Sequence, residues 1–332
     1  MNYKETINKR RLAFGPTDRL MTMAQIKYPW AIEVYELMEA NTWFQKSIPL
    51  NDDKECYRTS LTDKERNAFD KALAFVSNLD GIQFNNLIHN IGHYVTAPEV
   101  SLMLARQAAE EGVHVRAYQT MIEAISFDPE AVYMTFERDG ILAKKNQYIM
   151  SQSDLLRQEG TPEAFARAIV GNLLLEGVYF YSAFLVFYTL ARNGKMLGSA
   201  DMIKYIQRDE GGTHLTGFSH MHHTFEQENP HLYDQQFWDD AEQMFREAVD
   251  LEVTWGQHIV QGGMNGLTED MVDSFVKWLA NERWKLIREG EVLYPGVQNP
   301  APWFDEFSRP NGSRQNFFEG KPTDYAVDGL EW

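Results

Sequence analysis

Apolar residues recur every three or four positions along most of the chain, the interval that lines one face of an α-helix. The pattern predicts helices over 29–41, 63–91, 97–126, 129–158, 162–192, 199–227, 232–261 and 267–289, with no alternating run long enough for a strand. Start signals support several of them. Thr62-Asp-Lys-Glu65 and Thr96-Ala-Pro-Glu99 read as capping boxes, the second with Pro98 in the first turn. Thr161-Pro162-Glu163 repeats the signal, and Ser199 is a further cap candidate. The stretch N-T-W-F-Q-K-S-I-P-L at 41–50 reads as extended. Long helices joined by short turns imply an all-α, up-and-down bundle with antiparallel neighbours.

After Tyr294 the texture changes. Pro295, Pro300, Pro302, Pro310 and Pro322 alternate with Gly296, Gly312, Gly320 and Gly329, and aliphatic periodicity fades. The expected division is a helical domain over 1–294 and a mobile tail over 295–332. That tail keeps Trp303, Phe317, Phe318, Tyr325 and Trp332, so it reads as a docking peptide for a partner rather than a segment folded back on its own domain.

Composition narrows the function classes. With 31 Lys+Arg against 48 Asp+Glu the formal net charge is -17, which repels phosphate backbones and argues against nucleic-acid binding. A lone Cys56 permits no intrachain disulfide and fits a reducing cytoplasm, and the first residues lack a signal-peptide core. From Ala168 to Ala191 the chain is apolar enough to imitate a membrane span, with Glu176 its single formal charge. A buried core helix is the better reading of a single such segment in an acidic chain, so no membrane is expected.

The chemistry begins at E-G-V-H-V-R-A-Y, residues 111–118, where Glu111, His114 and Tyr118 share a face with apolar neighbours. Asp80 precedes and Glu111 follows the turn expected near His93–Thr96 by similar distances, so an antiparallel hairpin sets them level. About the turn at Asn193-Gly194, Glu176 meets Glu210 and His214 in the same way. Four ionised acids in a core are prohibitive without cations, and two divalent metals neutralise them. Mixed oxygen and imidazole donors suit iron or manganese better than thiolate-seeking metals. Asp80, Glu111, His114, Glu176, Glu210 and His214 are the inventory of a ferritin-like di-metal carboxylate bundle. Of the remaining histidines, His220, His222 and His223 read as a solvent-facing polar stretch, a second metal site being the alternative. His89, His93, His231 and His258 have no acid at a suggestive spacing.

L-D-G-I-Q (79–83), E-G-V-H-V-R-A-Y (111–118), L-E-G-V-Y-F-Y (175–181) and R-D-E-G-G-T-H-L (208–215) together resemble the small, radical-carrying subunit of class I ribonucleotide reductases, over nearly the whole chain. The resemblance implies that the six residues above are the metal ligands and that Tyr118 is the radical tyrosine. Phe180, Phe184 and Ile206 match its shielding pocket. It further implies that Trp43 and Asp209 carry an electron-transfer route to His114, that Tyr325 passes the radical onward, and that the C-terminal D-G-L-E-W anchors the large subunit. One departure stands out: Glu210-Gly-Gly-Thr-His214 has three intervening residues where the family has two, and a π-bulge at Gly211-Gly212 would re-aim the histidine.

The implied cofactor is two transition-metal ions per chain, iron first, with manganese or a mixed pair as alternatives. Activated by an oxygen species, it generates a one-electron oxidant, kept on the metals or on Tyr118. The oxidant passes to the large catalytic subunit, which reduces ribonucleotides to deoxyribonucleotides. A two-fold homodimer is expected from the resemblance and from 8 Trp and 20 Phe to bury. The rivals are a self-contained di-metal oxidase, which needs neither Trp43 nor the tail, and a metal-storage bundle, which needs no aromatic route.

Overall fold

The computed structural model describes residues 3–17 and 20–308, and every regular element among them is helical. Helices α1 (Tyr3–Asn8) and α2 (Pro29–Ala40) lead to a 3₁₀ turn at Gln45–Ser47 and to α3 (Asn51–Thr59). The segment read as extended therefore holds a turn and runs into a helix. Helix α4 (Asp63–Asn86) continues through a π-helical turn, Leu87–Ile91, into α5 (Gly92–Tyr94), and α6 (Pro98–Ile125) returns against it. The helix expected over 129–158 is three pieces: α7 (Pro129–Tyr133), α8 (Thr135–Arg138) and α9 (Gly140–Glu159), the last capped by Asp139. Then come α10 (Pro162–Gly177) and α11 (Tyr181–Arg192). Next, α12 (Leu197–Arg208) passes through a π-helical segment, Asp209–His214, into α13 (Leu215–Glu228). Helices α14 (Gln235–Ile259), α15 (Glu269–Trp284) and α16 (Phe304–Ser308) complete the chain as described.

Four rods form the centre: α4, α6, α10–α11 and α12–α13. Helix α2 covers α6 and α13, while α14 and α15 pack on α10 and α11 from the other side. The membrane-like stretch lies in this core, its most apolar window 94% buried within the bundle.

The capping box at Thr62 and Glu65 forms in both directions, and Thr161 caps α10 through Ala164 N. Two expected caps do not. Thr96 turns away from α6 to bond Arg11 O and Gly15 N, and Glu99 is buried against Arg10 and the backbone N–H groups of Lys27 and Tyr28. Ser199 lies inside α12, whose N-terminus is capped from another helix: Asp53 of α3 accepts from Gly198 N at 3.0 Å and Ser199 N at 2.5 Å. A tertiary carboxylate serves the free donors there as well as a local side chain could.

The periodicity of 162–192 conceals a break. Between Gly177 and Tyr181 the chain leaves the helix, although neither proline nor a positive φ occurs there. Side chains occupy the freed backbone groups: Arg283 Nε donates to Gly177 O at 3.1 Å, Lys145 Nζ to Tyr179 O at 3.3 Å, and Ser182 N donates to Glu252 at 2.8 Å. A kink between apolar turns needs such partners.

The packed chain also runs past Tyr294. Ala301 and Phe304 are buried, and the Phe304 ring lies 4.9 Å from Phe275 and 5.1 Å from Tyr188. Aromatic contact takes over where the aliphatic periodicity fades. Residues 309–332, with Phe317, Phe318, Tyr325 and Trp332, lie outside the described residues.

Candidate metal centre

Each central rod delivers candidate donors at one level. Asp80 comes from α4, Glu111 and His114 from α6, Glu176 from α10, and Glu210 and His214 from the π-helical segment. All six are fully buried. They fall into two sets, Asp80, Glu111, His114 and Glu210, and Glu111, Glu176, Glu210 and His214; within each, one donor atom per residue lies within 4.8 Å of the others. Glu111 and Glu210 belong to both.

The unusual spacing is accommodated where it was expected to be. The wider π turn holds Glu210 and His214 on one side, with Oε2 of the first 3.3 Å from Nδ1 of the second. Gly211 is required by close approach, since a Cβ there would stand 2.5 Å from the Tyr181 hydroxyl oxygen; Gly212 has open space.

His114 Nδ1 faces Glu210 at 2.8 Å, Asp80 at 3.4 Å and Glu111 at 3.5 Å. His214 Nδ1 faces Glu176 at 3.3 Å and Glu111 at 3.4 Å. Both carboxylate oxygens of Asp80 and of Glu111, with Oε1 of Glu210, make no hydrogen bond. Burial, reinforced by the neighbouring acids, pushes Glu111 up to about 8 and Glu210 well above the usual range; burial lifts Asp80 to about 6. Burial also acts upward on Glu176, but hydrogen bonds with Glu210 and His214 and the His214 charge outweigh it, and its pKa ends below the ordinary value. Both imidazoles are raised well above the usual value: burial lowers them, and the surrounding acids more than offset it. Without cations, then, the acids compete for protons and keep orphaned oxygens in the core, an arrangement that divalent metals relieve. Four carboxylates and two imidazoles fit hard or borderline ions such as iron and manganese.

A second layer of side chains orients these candidate donors. His114 Nε2 lies 3.1 Å from Asp209, which accepts from Trp43 Nε1 at 2.7 Å and from Arg208 at 3.0 Å. Half-buried Trp43 stacks on Tyr205, ring centroids 5.3 Å apart. On the other side, His214 Nε2 lies 3.0 Å from Glu110, itself paired with Arg106 at 3.1 Å. Glu176 accepts from Gln107 at 2.7 Å and also from Gln83. Such partners fix the imidazole tautomer and carboxylate orientation. Sequence reasoning missed Glu110, Gln107, Arg106 and Arg208. Gln83, one turn after Asp80, was within reach of it. Glu110 was masked by its neighbour Glu111.

Tyr118 is fully buried and its hydroxyl has no partner; burial, then the charges of Asp80, Glu210 and Glu111, raises its pKa well above the usual value. Phe180, Phe184 and Ile206 are fully buried too, the two phenylalanines stacked at 5.7 Å. Elsewhere, His258 does have an acid, Asp139 at 2.6 Å, too distant in sequence to notice. His222 is buried rather than solvent-facing.

Residues 20–300 match the family model "Ribonucleotide reductase, small chain". The chain is 34% identical to the ribonucleoside-diphosphate reductase subunit beta of Treponema pallidum, across 96% of this chain and 92% of that one. It is 30% identical to the same subunit of Chlamydia pneumoniae, across 93% and 91%. Among solved structures, the ribonucleotide reductase R2 subunit from Clostridium botulinum superimposes with a TM-score of 0.86 at 36% identity, covering 90% of this chain and 94% of that one.

Proposed function

The chain belongs to the ribonucleotide reductase small-chain family, as the small subunit of a ribonucleoside-diphosphate reductase, and from that premise we propose how its own residues do the work. Asp80, Glu111, His114 and Glu210 hold one metal ion, and Glu111, Glu176, Glu210 and His214 the other. The observation that carries this is the interlocking of two fully buried donor sets through Glu111 and Glu210. Iron is the first expectation for both ions, with manganese or a mixed pair as the alternatives. When bound, the metal pair supplies a one-electron oxidant after reaction with an oxygen species.

The protein's part is to store that oxidising equivalent and let it leave in one direction. Tyr118 stores it. Its buried hydroxyl is protonated at any physiological pH, so loss of an electron must be coupled to loss of that proton to a nearby acid, for which Asp80 is the candidate. Phe180, Phe184 and Ile206 keep water and reductants away. The exit is Trp43, joined to His114 through the single Asp209 oxygen that both contact. Asp209 stays ionised: burial pushes its pKa up, but the His114 hydrogen bond and nearby positive charges bring it below the usual value. It can thus take the indole proton when Trp43 is oxidised.

The rest of the route lies in the C-terminal segment. Tyr325 relays the hole to the large subunit, and the last residues, including Leu330 and Trp332, dock there. The working assembly is a cytoplasmic homodimer of this chain with the large subunit, which binds and reduces the ribonucleotide. The test is Tyr325→Phe assayed with the large subunit. Metal content and any Tyr118 radical, read by electron paramagnetic resonance, are expected to stay and nucleotide reduction to disappear. Wild-type turnover by that variant would refute the relay and favour a self-contained oxidase.

A further inference from the structure

Away from the carboxylate centre, α13 carries S-H-M-H-H, and its three histidines have different surroundings. His220 lies flat against Trp30, ring centroids 5.2 Å apart. His222 is fully buried, yet neither ring nitrogen has a hydrogen-bond partner. Its walls are the rings of Tyr233, Phe237 and Trp238, with centroids at 5.4, 6.4 and 5.8 Å. An imidazole left with both nitrogens unmade in an aromatic box forfeits the hydration of each, and such groups call for an explanation.

The edge of the box supplies one. His222 Nε2 lies 4.0 Å from Glu226 Oε2, one turn along the helix. His223 Nδ1 lies 3.9 Å from the same oxygen. These separations are too long for hydrogen bonds. They approach the roughly 3–4 Å between two donors that share one ion at about 2.0–2.2 Å. His223 is also set in the right tautomer: its Nε2 donates to Leu286 O at 2.8 Å, which leaves the lone pair on Nδ1, toward Glu226. One donor atom from each of the three residues lies within 4.8 Å of the other two.

We propose that His222, His223 and Glu226 form a third metal site, separate from the carboxylate centre, that takes a divalent transition-metal ion, zinc by preference. Two imidazoles and one carboxylate are a zinc donor set that leaves a fourth position to water, and half-exposed Glu226 and His223 face solvent there. Burial, with a small contribution from the His223 charge, lowers the His222 pKa to about 3, so its ring is neutral and ready to ligate without releasing a proton. Through the His223–Leu286 contact the ion also ties the end of α13 to the segment after α15.

The test uses full-length protein with its carboxylate centre already loaded, dialysed against micromolar zinc and analysed for metal. Wild type is expected to gain one zinc per chain and a higher melting temperature. His223→Ala and Glu226→Gln, both at accessible positions, should gain none while keeping the metals of the carboxylate centre. His222→Phe, which suits an aromatic box, should also gain none and melt no lower than wild type when zinc is absent. Equal zinc uptake by wild type and by His223→Ala or Glu226→Gln would overturn the site, as would no uptake by wild type.

Discussion

Lys145→Met is the sharpest probe of how the fold holds the helix that carries Glu176. Lys145 is fully buried on α9; its ammonium contacts Glu252, sits 3.5 Å from the Phe75 ring centre and donates to Tyr179 O at 3.3 Å. Glu252 in turn accepts from Ser182 N at 2.8 Å. The pair thus serves both sides of the break that separates Glu176 from the Phe180–Phe184 pocket. Burial lowers Lys145 to about 8 and raises Glu252, so each ion is costly and is tolerated only because of the other. Methionine keeps the apolar stem but leaves a buried carboxylate unpaired, which must then take up a proton. At pH 7, holding a proton on a group whose ordinary value is 4.5 costs about 1.4 kcal/mol per pH unit of difference, or about 3.4 kcal/mol. The lost donor to Tyr179 O adds about 1 kcal/mol. The sum agrees with the roughly 3–5 kcal/mol of broken buried pairs. The assay is thermal and urea unfolding at fixed protein and metal concentration, where the loss should appear as a melting shift on the order of 10 °C. Because the folded variant holds a proton that its unfolded chain releases above about 4.5, its deficit should shrink as the pH falls from 7 toward 5. Adding Glu252→Gln, which keeps an acceptor for Ser182 N, should restore most of the stability. A loss under about 1 kcal/mol, or no recovery in the double variant, would refute the reasoning.

The carboxyl groups of Glu110, Asp209 and Asp70 give further expected outcomes. Glu110→Gln and Asp209→Asn should each weaken metal binding about 10- to 100-fold, measured by chelator competition, because each removes the carboxyl partner of an imidazole in the proposed centre. Excess metal should restore turnover to Glu110→Gln but not to Asp209→Asn, which on the proposed route also loses the proton acceptor for Trp43; full rescue of both would exclude Asp209 from that route. Burial pushes Asp70, hydrogen-bonded to the Tyr57 hydroxyl at 2.7 Å, up to about 6. The folded chain therefore holds a proton there that the unfolded chain has released above about 4, so this contribution is full below pH 4 and lost as the pH rises through 6. Asp70→Asn should flatten that part of the stability profile; unfolding curves with unchanged pH dependence would contradict the assignment.

The sequence by itself determined the helical class, the antiparallel pairing and the level at which the six buried acid and histidine side chains meet. Helical periodicity and hairpin arithmetic are local rules, and a buried acid within an apolar face announces itself as a cost needing compensation. The same logic anticipated the π turn between Glu210 and His214, because an extra residue in a helix has few other places to go. Tertiary structure alone decided what depends on partners far apart in sequence. Nothing near Ser199 says that Asp53 will cap α12, and the periodicity of 162–192 runs straight through a break whose backbone groups are satisfied by Arg283, Lys145 and Glu252. Likewise, the S-H-M-H-H stretch looks polar on paper. His222 is buried because Tyr233, Phe237 and Trp238 fold over it, and only that enclosure turns an ordinary surface motif into an unpartnered imidazole. Side chains that satisfy a distant backbone or enclose a distant ring leave no periodic trace, since their spacing is set by how the helices pack and not by the pitch of any one of them.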